Sequence, residues 1–201
     1  MSEKFQNKYR IPSARRKNWD YGDEAIYFVT ICTKDRIHYF GEIQNPSDQA
    51  TVSPMVLSDL GKIAECFWNE IPIHFSHIIL GEYTIMPNHI HGLICIANQQ
   101  MPLQNTCPEL QNDYPFKDNP QDDPKQNLEI SRKWKSGVLG VIINQFKRKC
   151  TIEARKRCLE FAWQTRFHDH IVRNEESLQL ITNYIINNPT TWAEDKFNVS
   201  P

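Results

Sequence analysis

The chain has 201 residues, 40% of them hydrophobic and 23% charged, with a formal net charge of -1. That length fits one domain around a single core. No apolar run approaches the roughly 20 residues that span a bilayer, and the opening Met1-Ser2-Glu3-Lys4-Phe5 lacks the apolar core of a secretion signal, so a soluble, cytoplasmic protein with no membrane partner is expected.

A charge near zero ordinarily argues against nucleic acid, but here it averages opposed clusters. Basic residues gather in an N-terminal arm over residues 1–24, including Arg15 and Arg16, and again from Arg132 to Arg157; acidic residues gather between Glu109 and Asp123. Such runs can equally be solvated helix faces. The six cysteines never form a C-x-x-C pair and are expected to pack as reduced thiols rather than to bind zinc.

Residues 25–33, rich in β-branched and aromatic types, predict a first strand. Leu60, Ile63, Ala64 and Phe67 recur at helical spacing within 57–70, with Ser58 or Asp59 as N-cap. Residues 77–86 and 89–96 then predict two strands, and the short Met86-Pro87-Asn88 link makes them antiparallel neighbours. From about 97 to 129 the composition turns to Gln, Asn, Asp and Pro, which predicts a flexible polar insertion.

A second helix is expected over 138–157, with Leu139, Ile142, Ile143, Phe146 and Ile152 as its apolar stripe and Lys147, Arg148 and Lys149 on its basic face. Trp163 to Val172 predicts the last strand. A final helix is capped by Asn174 and must stop by Asn188, because Pro189 disfavours helical geometry in the residue before it. This order predicts an α+β ferredoxin-like sandwich over residues 25–192, followed by a C-terminal tail over 193–201.

Two patterns bear on chemistry. His89 and His91 alternate with Ile90, so a strand projects both imidazoles from one face, about 7 Å apart along the chain, close enough to share a metal. Alone, His-x-His is a weak signal. Tyr184 and Asn188 lie four apart, one above the other on the final helix. A tyrosine there is ordinarily a packing residue, and an asparagine before proline is ordinarily a cap.

Met86-Pro87-Asn88-His89-Ile90-His91, the stretch from Trp163 to Asn174, and Tyr184-Ile185-Ile186-Asn187-Asn188-Pro189 together resemble the REP-associated tyrosine transposases, members of the HUH single-tyrosine superfamily. The resemblance spans roughly residues 20 to 192 without the polar insertion. It implies that His89, His91 and Asn188 hold a divalent metal, Mg²⁺ or Mn²⁺, and that Tyr184 is the nucleophile of a single-strand DNA endonuclease and strand transferase working through a 5′-phosphotyrosine. The implied substrate is a DNA hairpin of the repetitive extragenic palindrome type. Arg15, Arg16, Lys147, Arg148, Lys149 and Arg173 would contact DNA, and Trp163 or Phe167 would stack on an unpaired base. The same resemblance implies action in cis and hence a monomer rather than a dimer.

His168 stands where the family often has an aromatic residue and makes a second His-x-His with His170, expected to be structural or to touch DNA. Rival readings are a hairpin-binding protein that does not cut, an RNA-binding ferredoxin-like domain, and a structural zinc protein.

Overall fold

Alternating apolar residues give four antiparallel strands with two unlike faces. The computed structural model describes residues 24–44, 55–97 and 138–198, plus two short strands that pair with each other, β1 (Lys4–Phe5) and β2 (Lys8–Tyr9). Arg15, Arg16 and the expected polar insertion beyond Ala97 lie outside these residues. The main sheet contains β3 (Ala25–Cys32), β6 (Ile78–Met86), β7 (His89–Ile96) and β8 (His168–Val172) in the order β6-β7-β3-β8. Between β3 and β6 come two three-residue strands that pair with each other, β4 (Gly41–Ile43) and β5 (Met55–Leu57).

Among the described residues lie three helices and a short fourth: α1 (Asp59–Asn69), α2 (Ile71–His74), α3 (Val138–Ala154) and α4 (Glu175–Asn187). In chain order the main strands and long helices run βαββαβα, the arrangement of a ferredoxin-like α+β sandwich. Ser58 caps α1, its side chain accepting the Gly61 N–H at 3.1 Å, and Asn174 caps α4 by accepting the Ser177 N–H at 2.8 Å. Among the described residues no helix is long and apolar enough to cross a membrane.

One sheet face, bearing Tyr27, Val29, Ile31, Ile85, Ile90 and Ile94, makes the core with α1 and α3. Gly92 lies on that face. A Cβ there would sit 2.3 Å from Cζ2 of the fully buried Trp68, so only glycine lets this ring seat on β7. A bulge between Leu80 and Tyr83 keeps both on the core side although they are three residues apart. The opposite face carries Phe28, Thr30, His89 and His91 and is covered by α4, which packs along β6.

Two sequence expectations are corrected. Ile152 is 54% exposed, and Cys150 and Ala154 continue the buried stripe of α3 in its place. Ile152 follows Cys150 by two residues, about 200° around the helix, so the two cannot share a face. The last strand begins at His168 rather than near Trp163, which makes only an isolated bridge to Thr33. There the Gln164 N–H donates to the Cys32 carbonyl, and Trp163 turns inward against Phe40, Phe146 and Phe161.

Candidate active site

The loop before β7 sets the first histidine. Asn88 is fully buried, and its amide donates to the carbonyls of Arg36 at 3.1 Å and Phe197 at 2.8 Å. Its Oδ1 is therefore an acceptor facing His89 Nδ1 at 2.9 Å, which places the imidazole proton on Nδ1 and leaves a bare lone pair on Nε2. Arg36 reaches this position in a left-handed backbone conformation, φ 60°, directly after Asp35 at φ 54°. Consecutive non-glycine residues in that region store strain that the surrounding contacts must hold.

His91 lies opposite Thr30 across the β3–β7 ladder, and Thr30 Oγ1 is 2.9 Å from His91 Nδ1. When that nitrogen donates to Thr30, Nε2 accepts the phenolic O–H of Tyr184 at 3.2 Å. The two imidazole rings stand 4.4 Å apart, centre to centre. Phe28 stacks on His91 and meets Tyr184 edge-on, so the nucleophile candidate is held by an aromatic wall while its side remains 41% exposed.

Asn188 caps α4 one turn after Tyr184 and is buried. Its Nδ2 donates to Asp195 Oδ2 at 2.9 Å. Among the described residues three buried side-chain polar atoms have no hydrogen-bond partner: Trp68 Nε1, His89 Nε2 and Asn188 Oδ1. Two of these belong to the three residues expected to ligate a metal. An orphaned buried acceptor is costly unless an electrophile meets it, so these residues fit a cation.

Ligand atoms of His89, His91 and Asp195 all lie within 4.8 Å of one another. The segment beyond α4 closes this side, with Trp192 against His89 and the Phe197 ring 4.6 Å from it. An open pocket of about 860 Å³ leads from His91 past Tyr184 toward Arg166, Phe167 and His168.

Burial, reinforced by the charges of Lys196 and Arg36, pushes the His91 pKa down from 6.5 to about 3. Burial, then the neighbouring His91, holds His89 well below 6.5. Both are thus neutral, as ligation requires. Burial and then the Asp195 carboxylate raise the Tyr184 pKa above 10, while the bond from Asn188 opposes them.

A consequence for stability follows. Between 6.5 and about 3 the unfolded chain binds a proton that folded His91 does not. This stability is fully present above 6.5 and is lost as pH falls toward 3, with a slope of at most about 1.4 kcal/mol per pH unit for one site. Denaturant midpoints in EDTA should fall steadily as pH is lowered from about 6.5 toward about 3; a flat profile would contradict neutral, buried imidazoles.

The structure thus brings together His89, His91, Tyr184 and Asn188. It disperses the expected DNA contacts. Lys147 donates to the Gln164 carbonyl, Lys149 bonds Glu70 at 2.9 Å and sits 2.6 Å from His74, and Trp163 Nε1 donates to the Lys147 carbonyl at 3.2 Å. Arg148 and Arg173 are exposed, and His168 and His170 are exposed on β8. Asn88, Thr30 and Asp195 are site residues that sequence reasoning missed. Thr30 follows from the strand register; Asp195 has no sequence signal.

No family model matches the chain. An uncharacterized protein of Haemophilus influenzae is 35% identical over 193 residues, covering 93% of this chain and 92% of that protein. Among solved structures, a REP-associated tyrosine transposase bound to a REP hairpin aligns with TM-score 0.50 and 13% identity over 92% of this chain and 77% of its own. A candidate transposase from Deinococcus radiodurans R1 aligns with TM-score 0.35 and 10% identity over 87% of this chain and 97% of its own. The chain therefore belongs to the family of the Haemophilus influenzae protein, and its α+β fold is that of a REP-associated tyrosine transposase.

Proposed function

We propose that the protein is a divalent-cation-dependent single-strand DNA endonuclease and strand transferase that acts at DNA hairpins of the REP type, with Tyr184 as nucleophile. The observation that carries this reading is the hydroxyl of the partly exposed Tyr184, 3.2 Å from His91 Nε2, beside two buried, unpartnered acceptors, His89 Nε2 and Asn188 Oδ1. His89, His91 and Asn188 would hold the cation. When bound, it supplies positive charge to the non-bridging oxygens of a phosphodiester, which otherwise repel a nucleophile. Two imidazoles and an amide oxygen suit Mn²⁺ or Mg²⁺ in use, whereas Zn²⁺ would bind more tightly and catalyse poorly.

The chain's own residues supply the rest. Tyr184 Oη attacks phosphorus, forming the Tyr–O–P bond as the bond to the 3′-oxygen breaks; the phenolic proton is lost and the departing oxygen ends as a 3′-OH. The 5′-phosphotyrosine retains the phosphodiester energy, so a second 3′-OH can reverse the step and join strands. Phe28 and Thr30 fix His91, and Asn188 favours the ionised phenol.

For substrate, the solved neighbour is bound to a REP hairpin, and the same class of DNA is proposed here. The pocket running past His168, Arg166 and Phe167 suits an unpaired strand, with Phe167 better placed than the inward-turned Trp163 for stacking on a base. Arg148, Arg173, Arg15 and Arg16 remain the proposed backbone contacts, while Lys147 and Lys149 are occupied within the protein.

The test is a labelled REP-type hairpin with a single-stranded foot. A covalent protein–DNA adduct should form with Mn²⁺ or Mg²⁺ and be abolished by EDTA. Tight hairpin binding without cleavage of any hairpin offered would instead make the protein a non-cutting DNA-binding relative.

A further inference from the structure

Resting on the cation reading above, we propose that Asp195 is the anionic donor of the cation site, delivered to the His89–His91 pair by the segment after α4. A carboxylate oxygen of Asp195 lies within 4.8 Å of donor nitrogens of both histidines, although Asp195 is more than a hundred residues from them in the chain. Its Oδ2 accepts the Asn188 amide at 2.9 Å and its Oδ1 accepts the Phe197 N–H at 2.7 Å. A carboxylate oxygen has room for a second partner, so both bonds can persist beside a cation.

The same bond sets the amide of Asn188. An ionised carboxylate only accepts, so it must face the NH₂ group, and the amide oxygen is turned away from it. That oxygen is buried and unpartnered, as is His89 Nε2. Asp195 thus orients one donor while presenting another.

Charge gives the second line of support. Two imidazoles and an amide bring no negative charge to a cation, and the Arg36 guanidinium and Lys196 ammonium both sit on the Phe197 ring that packs against His89. A divalent ion held by three neutral donors near two positive side chains is poorly compensated, and Asp195 supplies the missing negative charge. Adding a carboxylate also shifts the donor set toward Mn²⁺ and away from soft-ligand cations.

The position is built rather than incidental. Trp192 packs against both His89 and His38, the Asp195 N–H donates to the Trp192 carbonyl at 3.1 Å, and the Arg36 guanidinium lies 4.1 Å from the Phe197 ring centre. These contacts hold the carboxylate at the histidines from both sides in sequence.

The experiment measures Mn²⁺ binding directly, by calorimetry and by loss of the free-ion EPR signal, on the full chain without DNA. Asp195→Asn keeps an acceptor for the Asn188 amide but removes the charge, and should weaken Mn²⁺ binding by about 10- to 100-fold. Asp195→Ala should weaken it at least as much. Glu194→Gln, a neighbouring charge change at the pocket rim, should leave it unaltered. If Asp195→Asn binds Mn²⁺ as tightly as the parent, or if Glu194→Gln weakens binding equally, Asp195 is not the anionic donor and the cation reading stands without it. A parent protein that binds no Mn²⁺ overturns both.

Discussion

Tyr184→Phe should fold, bind hairpin DNA about as well as the parent, and form no covalent adduct with Mn²⁺ or Mg²⁺. The ring stays, and with it the edge-on contact to Phe28 at 6.1 Å and the contact to His91 at 5.2 Å. Only the hydroxyl is lost, with its 3.2 Å bond to His91. Loss of one such bond costs about 1 kcal/mol, a fall of roughly 2–4 °C in Tm for a chain of this size. Adduct formation should fall below detection, because no other oxygen occupies that place. Labelled DNA still attached to the variant on a denaturing gel would identify another nucleophile and remove Tyr184 from the mechanism.

His89→Ala should also abolish the adduct, but by a separable route. In the parent, Mn²⁺ at a hundredfold excess over Kd should stabilise the fold by about 2.7 kcal/mol, a rise of roughly 5–10 °C in Tm. Tyr184→Phe should retain that rise, since its hydroxyl is not a proposed ligand. His89→Ala should lose it, because the bare Nε2 held by Asn88 is gone. Thermal scans with and without Mn²⁺ on the three proteins make the comparison. A full Mn²⁺ shift in His89→Ala would place the cation elsewhere.

Much of this arrangement was legible from local pattern. The β-branched and aromatic composition of 25–33 and the run at 89–96 mark the two central strands, and the i, i+4 spacing of Tyr184 and Asn188 puts both on one helix face that reaches the histidines. Ser58 and Asn174 cap the helices their residue types suggested. What failed to show was set by tertiary context. Trp163 to Phe167 has strand-like composition, yet Trp163 serves as a core plug at the end of β3, so pairing starts at His168. Lys147 and Lys149 read as a basic face, but only the fold reveals Glu70, His74 and the Gln164 carbonyl waiting for them.

Asp195 illustrates the harder limit. It follows Pro189, sits in no periodic element and falls in the expected C-terminal tail; its place beside the histidines depends on the single turn Trp192–Glu194 and on Trp192 packing against His89. Asn88 likewise read as a turn residue, because its control of the His89 proton requires the distant carbonyls of Arg36 and Phe197.

Tyr184 and its partner His91 meet at 3.2 Å although they lie 93 positions apart in the chain. A pairing of such long range cannot form until the final helix is present. Synthesis or proteolysis that stops short of Glu175 therefore yields a polypeptide with the histidine pair but without Tyr184. On the proposed mechanism such fragments lack the nucleophile, so a copy cut short before its final helix would form no adduct with DNA.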